Sequence, residues 1–311
     1  MPESIKPLSA ADDMFHPPPT GDPMWSETVW YTFSVPDRRW QGYFYLWVRV
    51  NQQLCGGGVM LWDDQGHQPW DAVVWDNHWA HPLGELGDLR DYRFPFGPRV
   101  RCLKPLDTYE LDYARGDFSV RLHWAALTEP HTIIARAEDV FTGHFDQPGH
   151  VTGVIEHSGE TIAVDSYGLR DRSWGPRREV PGFRLGYDHG QNADEAFLAY
   201  SDVDVESGPI SKGYLWRDGE MRRLVSGHRT LEYVDHMPKS VHISAIDESG
   251  RSLEAFGDVE NKTAFMNLPW MLNWNCLTRW TVGSEELWGE VQDIWHLDRY
   301  RSFSATKGVR S

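Results

Sequence analysis

"TIAVDSYGLRDRSWGPR" spans Thr161 to Arg177. Its first half is apolar, β-branched and alternating, and reads as a strand that stops at Gly168. Its second half, from Gly168 to Arg177, holds three Arg, one Asp and one Trp within ten residues, and Gly175-Pro176 turns the chain. A chain still extended past Gly168 places Asp171, Ser173 and Trp174 on one face and Arg172 on the other. Two uses fit such a segment. Asp171 pairs with a nearby Arg while Trp174 plugs a barrel end, or Asp171, Arg172 and Trp174 form part of a cavity wall, with charges beside an aromatic face.

The flanking sequence has the same strand character. "VWYTFSV" (29–35) and "GYFYLWVRV" (42–50) precede the segment; "AFLAYSDV", "KGYLWRD", "TRWTV" and "LWGEVQDIWHL" follow it. Turn residues recur at roughly 8–15-residue intervals, the rhythm of all-β sandwiches and barrels. Helical periodicity is nearly absent; one short helix is predicted near Ala137 to His144. "MLWDDQG" (60–66) is echoed by "YLWRDGE" (214–220), about half the chain away. Two similar β units meeting between Gly149 and Gly168 account for length and rhythm together. The predicted division is a flexible Pro-rich lead-in over 1–24, β domains over 25–160 and 161–300, and a weakly ordered tail over 301–311.

Composition excludes several classes. The chain has 311 residues, 40% hydrophobic and 24% charged, and no apolar run approaches the roughly 18 residues of a membrane helix. No membrane insertion is predicted. A net charge of −16 argues against nucleic acid, whose phosphates need clustered Lys and Arg. Cys55, Cys102 and Cys276 are odd in number and far apart, which argues against a disulfide framework. No basic-then-apolar signal pattern is present, so a cytoplasmic location is predicted. Oligomeric state is not legible. The unusual count is aromatic: 16 Trp, 12 Tyr and 13 Phe. These rings either fill all-β cores or line a cavity for a large apolar or conjugated ligand.

Phosphate-binding, dinucleotide, nucleophile-elbow and zincin motifs are absent. His67, Asp71, Asp76, His78 and His81 are metal-capable types, but His78 and His81 sit three apart in a Trp- and Pro-flanked loop with no fixed third ligand. No metal is predicted. In "AFLAYSDVDV" (196–205), alternation puts Phe197, Ala199, Ser201 and Val203 on one face and Leu198, Tyr200, Asp202 and Asp204 on the other. Asp202 facing a Trp-lined cavity would be a carboxyl of raised pKa, suited to general acid catalysis. A solvated face is the alternative.

The "G-x-R-D-R-S-W-G-x-R" segment, with Tyr200-x-Asp202 about 25 residues on, resembles the lipocalin-like superfamily of carotenoid 1,2-hydratases and AttH-type proteins. Kievitone hydratase and the fungal β-barrel Diels–Alderases look like members. The matching residues are Gly168, Arg170, Asp171, Ser173, Trp174, Gly175 and Arg177, then Tyr200 and Asp202. The resemblance extends over roughly Trp25 to Tyr300. It implies an all-β fold of two lipocalin-like (calycin) domains in tandem, with a ligand cavity at or near their interface. It places Trp174, Tyr200 and Asp202 at the family's catalytic positions. The family His is replaced by Arg172, which stays protonated and cannot shuttle a proton; Arg172 instead suits a carboxylate, phosphate or oxyanion.

The activity implied is that of a cofactor-independent hydratase, dehydratase or cyclase acting on a large hydrophobic unsaturated molecule, such as a terpenoid, steroid-like or polyketide compound. Asp202, Tyr200, Asp171 and Arg172 are the predicted catalytic residues. Trp174, Trp216, Trp280, Trp288, Glu290 and His144 are the predicted substrate-binding residues. A non-catalytic carrier of a hydrophobic small molecule and a pericyclase remain as alternatives.

Overall fold

The computed structural model describes residues 8–16, 18, 21–85, 87–133, 142–204 and 206–307. Two compact units divide it: 1–35, 42–61 and 74–178 form the first, and 36–41, 62–73 and 179–311 the second. The main division falls after Arg178 rather than between 160 and 161. The reason is the strand of the opening segment, which pairs along its whole length within the first unit.

The first sheet contains β1 (Trp25–Val35), β2 (Trp40–Arg49), β3 (Leu54–Trp62), β4 (Val74–Pro82), β5 (Asp91–Arg93), β6 (Arg99–Lys104), β7 (Thr108–Arg115), β8 (Phe118–Ala126), β9 (His131–Ile133), β10 (Gly143–His157) and β11 (Glu160–Pro176). Its order is β4-β3-β2-β1-β11-β10-β8-β7-β6-β5, with β9 on β10. The second contains β12 (Arg184–Gln191), β13 (Glu195–Ser201), β14 (Ser207–Arg217), β15 (Glu220–Val234), β16 (Met237–Asp247), β17 (Ser252–Val259), β18 (Thr263–Leu268), β19 (Met271–Val282) and β20 (Glu285–His296), then helix α1 (Leu297–Lys307). Here β17 pairs with β19 and closes a barrel.

Local chemistry explains the strands. β17 alternates buried and exposed at every residue, and β8 does so through most of its length, as period-2 sequences with one solvated face must. The β10–β11 hairpin turns on Ser158-Gly159, both at positive φ, and the β14–β15 hairpin on Asp218-Gly219 likewise. Gly is the natural second residue of such two-residue turns. The strand predicted to stop at Gly168 continues to Pro176, because β1 and β10 hydrogen-bond to it throughout.

The echo of "MLWDDQG" and "YLWRDGE" has a topological meaning. The order β4-β3-β2-β1-β11-β10 is repeated as β15-β14-β13-β12-β20-β19. The two echoed stretches thus end the third strand of each unit.

Two expectations about ordering change. Residues 8–16 are structured: Ser9 caps a short 3-10 turn over Ala10–Asp13, and buried Asp13 pairs with Arg170. Residues 301–307 of the predicted tail are part of α1, whose Phe303 stacks on Trp295 with ring centroids 4.9 Å apart. The helix predicted near Ala137 to His144 falls mostly on 137–141, outside the described residues; Gly143 and His144 open β10.

Candidate functional site

The two faces of β11 do different work. Arg170 and Arg172 point into the first unit's own core. Arg170 lies 4.3 Å from the Tyr109 ring and 4.9 Å from the Phe145 ring, and Asp13 neutralises it. Arg172, fully buried, donates to Glu27 Oε2 at 2.5 Å, to Met14 O at 2.9 Å and to Thr28 O at 3.0 Å. Burial pushes the Glu27 carboxyl up, but the Arg172 charge and His16 outweigh it and hold the pKa below its ordinary value. The terminal guanidinium nitrogens of Arg172 are therefore committed to the protein. The expected use of Arg172 as an anion receptor gives way to a structural ion pair.

Trp174 shares the face of Arg172, not that of Asp171. Strict alternation requires this, and the structure has Arg172 5.8 Å from the Trp174 ring. Trp174 stacks on His16 at 3.7 Å, and Gly143 lets its ring approach: a Cβ there would meet Trp174 Cζ2 at 2.2 Å.

The other face of β11 carries a proton-handling cluster. Asp171 stands opposite Trp30 on β1 and opposite Asp146 on β10, and Ser173 stands opposite His144. His144 Nε2 lies 2.9 Å from Asp146 Oδ2 and 3.7 Å from Asp171 Oδ2. His144 and Asp146 are buried; the Asp171 side chain is 18% exposed. Asp171 Oδ1 has no hydrogen-bond partner among the described residues.

Burial pushes the Asp171 carboxyl up to about 6, with neighbouring Asp146 adding to the shift and His144 and Arg177 opposing it. Burial alone would lower the His144 pKa, but Asp146 and Asp171 raise it above its ordinary value. The three ligand-type atoms lie within 4.8 Å of one another, so the same donors could hold a divalent cation in place of the shared proton. Aromatic surface adjoins the acid: buried Trp30 meets buried Tyr43 edge-on at 5.1 Å.

In the second unit, β13 follows its predicted alternation only to its end. Phe197 and Ala199 join the barrel core. Tyr200 is buried on the opposite face, edge-on to Tyr187 at 4.7 Å. The β13–β14 ladder then slips between Tyr200 and Ser201, and the strand stops at Ser201. Asp202 lies past the end and is exposed, so it does not face a dry cavity.

Cross-strand register puts Tyr200 opposite Tyr187, Trp216 opposite Ala196, and Trp288 and Glu290 opposite Gln191 and His189. Four predicted residues thus share one sheet face. Trp280 lies on the other, fully buried in the core, edge-on to Phe197 at 4.9 Å. Sequence reading passed over Asp146, Trp30, His189 and Gln191; the repeated His-x-Asp and His-x-Gln alternations, at 144–146 and 189–191, were the available signals.

The His/Asp-rich region serves structure, and its Asp76, His78 and His81 lie in strand β4 rather than in the expected loop. Asp76 accepts from Tyr113, Arg115 and His78, and Asp71 caps the backbone at His67 and Gln68.

Two β units of repeated strand order define a tandem lipocalin-like β protein. The chain belongs to the DUF7064 family, described as a domain of unknown function, whose pattern matches residues 9–283. No curated protein sequence matches it. Among solved structures it is similar to a candidate AttH from Nitrosomonas europaea, 13% identical, with a TM-score of 0.57 over 94% of this chain and 97% of that one. It is also similar to kievitone hydratase from Nectria haematococca, 11% identical, with a TM-score of 0.50 over 88% of both chains. These likenesses bear out the fold implied by the "RDRSWG" segment.

Proposed function

We propose that the protein is a cofactor-independent acid–base enzyme of the hydratase, dehydratase or cyclase kind, acting on a hydrophobic unsaturated small molecule. The observation that carries this is Asp171: a mostly buried carboxyl with one oxygen facing His144 and the other without a partner among the described residues. A carboxyl that titrates near 6 keeps a useful protonated fraction at neutral pH.

Asp171 gives its proton to an alkene carbon, whose π pair becomes the new C–H bond. The cation formed is held by the π faces of Trp30 and Tyr43. Water adds to the cation and returns a proton to the Asp171 carboxylate; in cyclisation the π pair of an internal double bond forms the new C–C bond instead, and the cation this leaves loses an adjacent C–H proton to the same carboxylate. His144 holds the two carboxylates together and relays the proton. One positioned acid of this kind supplies about 10²–10⁴-fold. The structural likeness to kievitone hydratase supports the fold on which such chemistry is carried out, and the acid–base reading rests on Asp171.

The test is incubation with lipophilic alkenes, kievitone among them, in ¹⁸O-labelled water, followed by mass spectrometry. Label enters the product with the wild type and falls at least about 100-fold with Asp171→Asn. Unlabelled ligand recovered bound to both proteins would make the protein a carrier and end the enzymatic reading.

A further inference from the structure

The second unit carries a polar cluster that the mechanism above does not use. It lies on the face of β12, β19 and β20 turned away from the barrel core. Gln191 Oε1 lies 3.1 Å from His189 Nδ1, His189 Nε2 lies 3.6 Å from Glu290 Oε2, and Gln292 Nε2 donates to the same oxygen at 3.4 Å. Asn275 stands opposite Gln292, and Asn273 follows two residues away on the same face.

These side chains are buried, yet four of their atoms have no partner among the described residues: Gln191 Nε2, Glu290 Oε1, Asn273 Oδ1 and Asn275 Oδ1. An unmade buried hydrogen bond is costly, and one sheet face concentrating four of them needs a cause. Burial, opposed only by the Gln292 hydrogen bond, pushes the Glu290 carboxyl well above the usual carboxylate range, which favours its O–H form. The cluster therefore offers two donors, Gln191 and Glu290, and two acceptors, Asn273 and Asn275. Tyr187, Tyr200 and half-buried Trp288 supply ring surface on the same face.

We infer that this face of the second unit is a recognition site for an uncharged aromatic hydroxy-ketone, with Gln191 and Glu290 donating to its carbonyl oxygen and the Asn273 and Asn275 amide oxygens sharing the one proton of its hydroxyl. A carboxylate in the same place would lose its hydration beside the Glu290 carboxyl, and the lysine on this face, Lys212, stands opposite Tyr200 on β14 rather than among these side chains. The site stands independently of the acid–base reading of Asp171.

The experiment uses 4′-hydroxyacetophenone, acetophenone and 4-hydroxybenzoate at pH 6.5. Binding is followed through the Gln191 side-chain amide resonances of the full-length protein. The hydroxy-ketone shifts those resonances saturably; acetophenone binds at least about tenfold more weakly, as the loss of one buried hydrogen bond requires, and 4-hydroxybenzoate does not bind. Glu290→Gln, which keeps a neutral donor of the same shape, retains binding within about threefold, whereas Glu290→Leu weakens it at least tenfold. Unshifted Gln191 resonances, equal binding of 4-hydroxybenzoate, or undiminished binding by Glu290→Leu would each overturn the assignment.

Discussion

Asp171 is governed by two neighbours of opposite effect, and that gives a signed test of the acid. The His144 charge lowers the Asp171 pKa from where burial would leave it, and Asp146 raises it. His144→Gln should move the titration of Asp171 to higher pH, and Asp146→Asn should move it lower. With Asp171 as proton donor, the alkaline limb of kcat/KM falls tenfold per pH unit above about 6 in the wild type. It should shift in the same two directions in the variants. Carboxyl-carbon NMR and a pH–rate profile read the same quantity independently; opposite movement of the two would remove Asp171 from the chemistry. At this scale the sequence showed which segment mattered but not which residues in it. Asp171 was visible because an acid beside a strand-end Trp is unusual. The parity of Trp174 follows from counting along a strand: it belongs with Arg172, so the ring beside the acid is Trp30, a partner only register reveals. His144 became meaningful once β10 paired with β11, a long-range fact that spacing along the chain does not encode.

Strand and turn elements were the most legible level, because a two-residue turn and an alternating strand are local chemistry. "HSGE" and "RDGE" form the hairpin corners their Gly residues allow. Element ends were less legible: nothing in "AFLAYSDV" marks the ladder slip at Tyr200, and the loss of pleat beyond Ser201 is what exposes Asp202. The N-terminal segment was misread for a different reason. Its Pro content suggested a loose lead-in, but Asp13 is the counter-charge of a buried arginine. Asp13 accepts from Arg170, from Leu106 N at 2.7 Å and from the Tyr109 hydroxyl at 2.6 Å. Asp13→Ala leaves Arg170 charged, buried and unpaired, and should cost about 3–5 kcal/mol in urea unfolding. Asp13→Ala combined with Arg170→Met should recover most of that loss, since an unbroken apolar filling carries no orphan charge. A single variant of wild-type stability would mean the segment does not anchor the first unit.

Each unit sets an acid on its last long strand beside a histidine of a neighbouring strand, but the histidines come from opposite sides: His144 from β10, which corresponds to β19, and His189 from β12, which corresponds to β1. Asp171 with His144 and Glu290 with His189 are the two instances. The half-chain echo hinted at the repeat, but the acids share no sequence motif, and topology aligns their strands without aligning their histidines. The two acids have a consequence for stability. A carboxyl whose folded pKa exceeds its unfolded value binds its proton more tightly in the folded state, so stability falls as pH rises between the two values. For Asp171 that window runs from 3.8 to about 6, a loss on the order of 3 kcal/mol; for Glu290 it begins at 4.5 and extends well above. His144 has a raised pKa, so its stabilisation is complete below 6.5 and lost as pH rises through its folded value. All three act in one direction. Glu27 and Asp247 act in the other: burial raises both, hydrogen bonds and cations lower both further, and their stabilisation is lost only as pH falls through their folded values, below the ordinary carboxylate range. Maximum stability should therefore lie near pH 4–5, with Tm declining steadily to pH 8, in contrast to the usual optimum between about 5 and 8. Differential scanning calorimetry across that range reads the slope. Asp171→Asn with Glu290→Gln should flatten it, and a double variant with the wild-type slope would assign the decline to His144 or the surface charge instead.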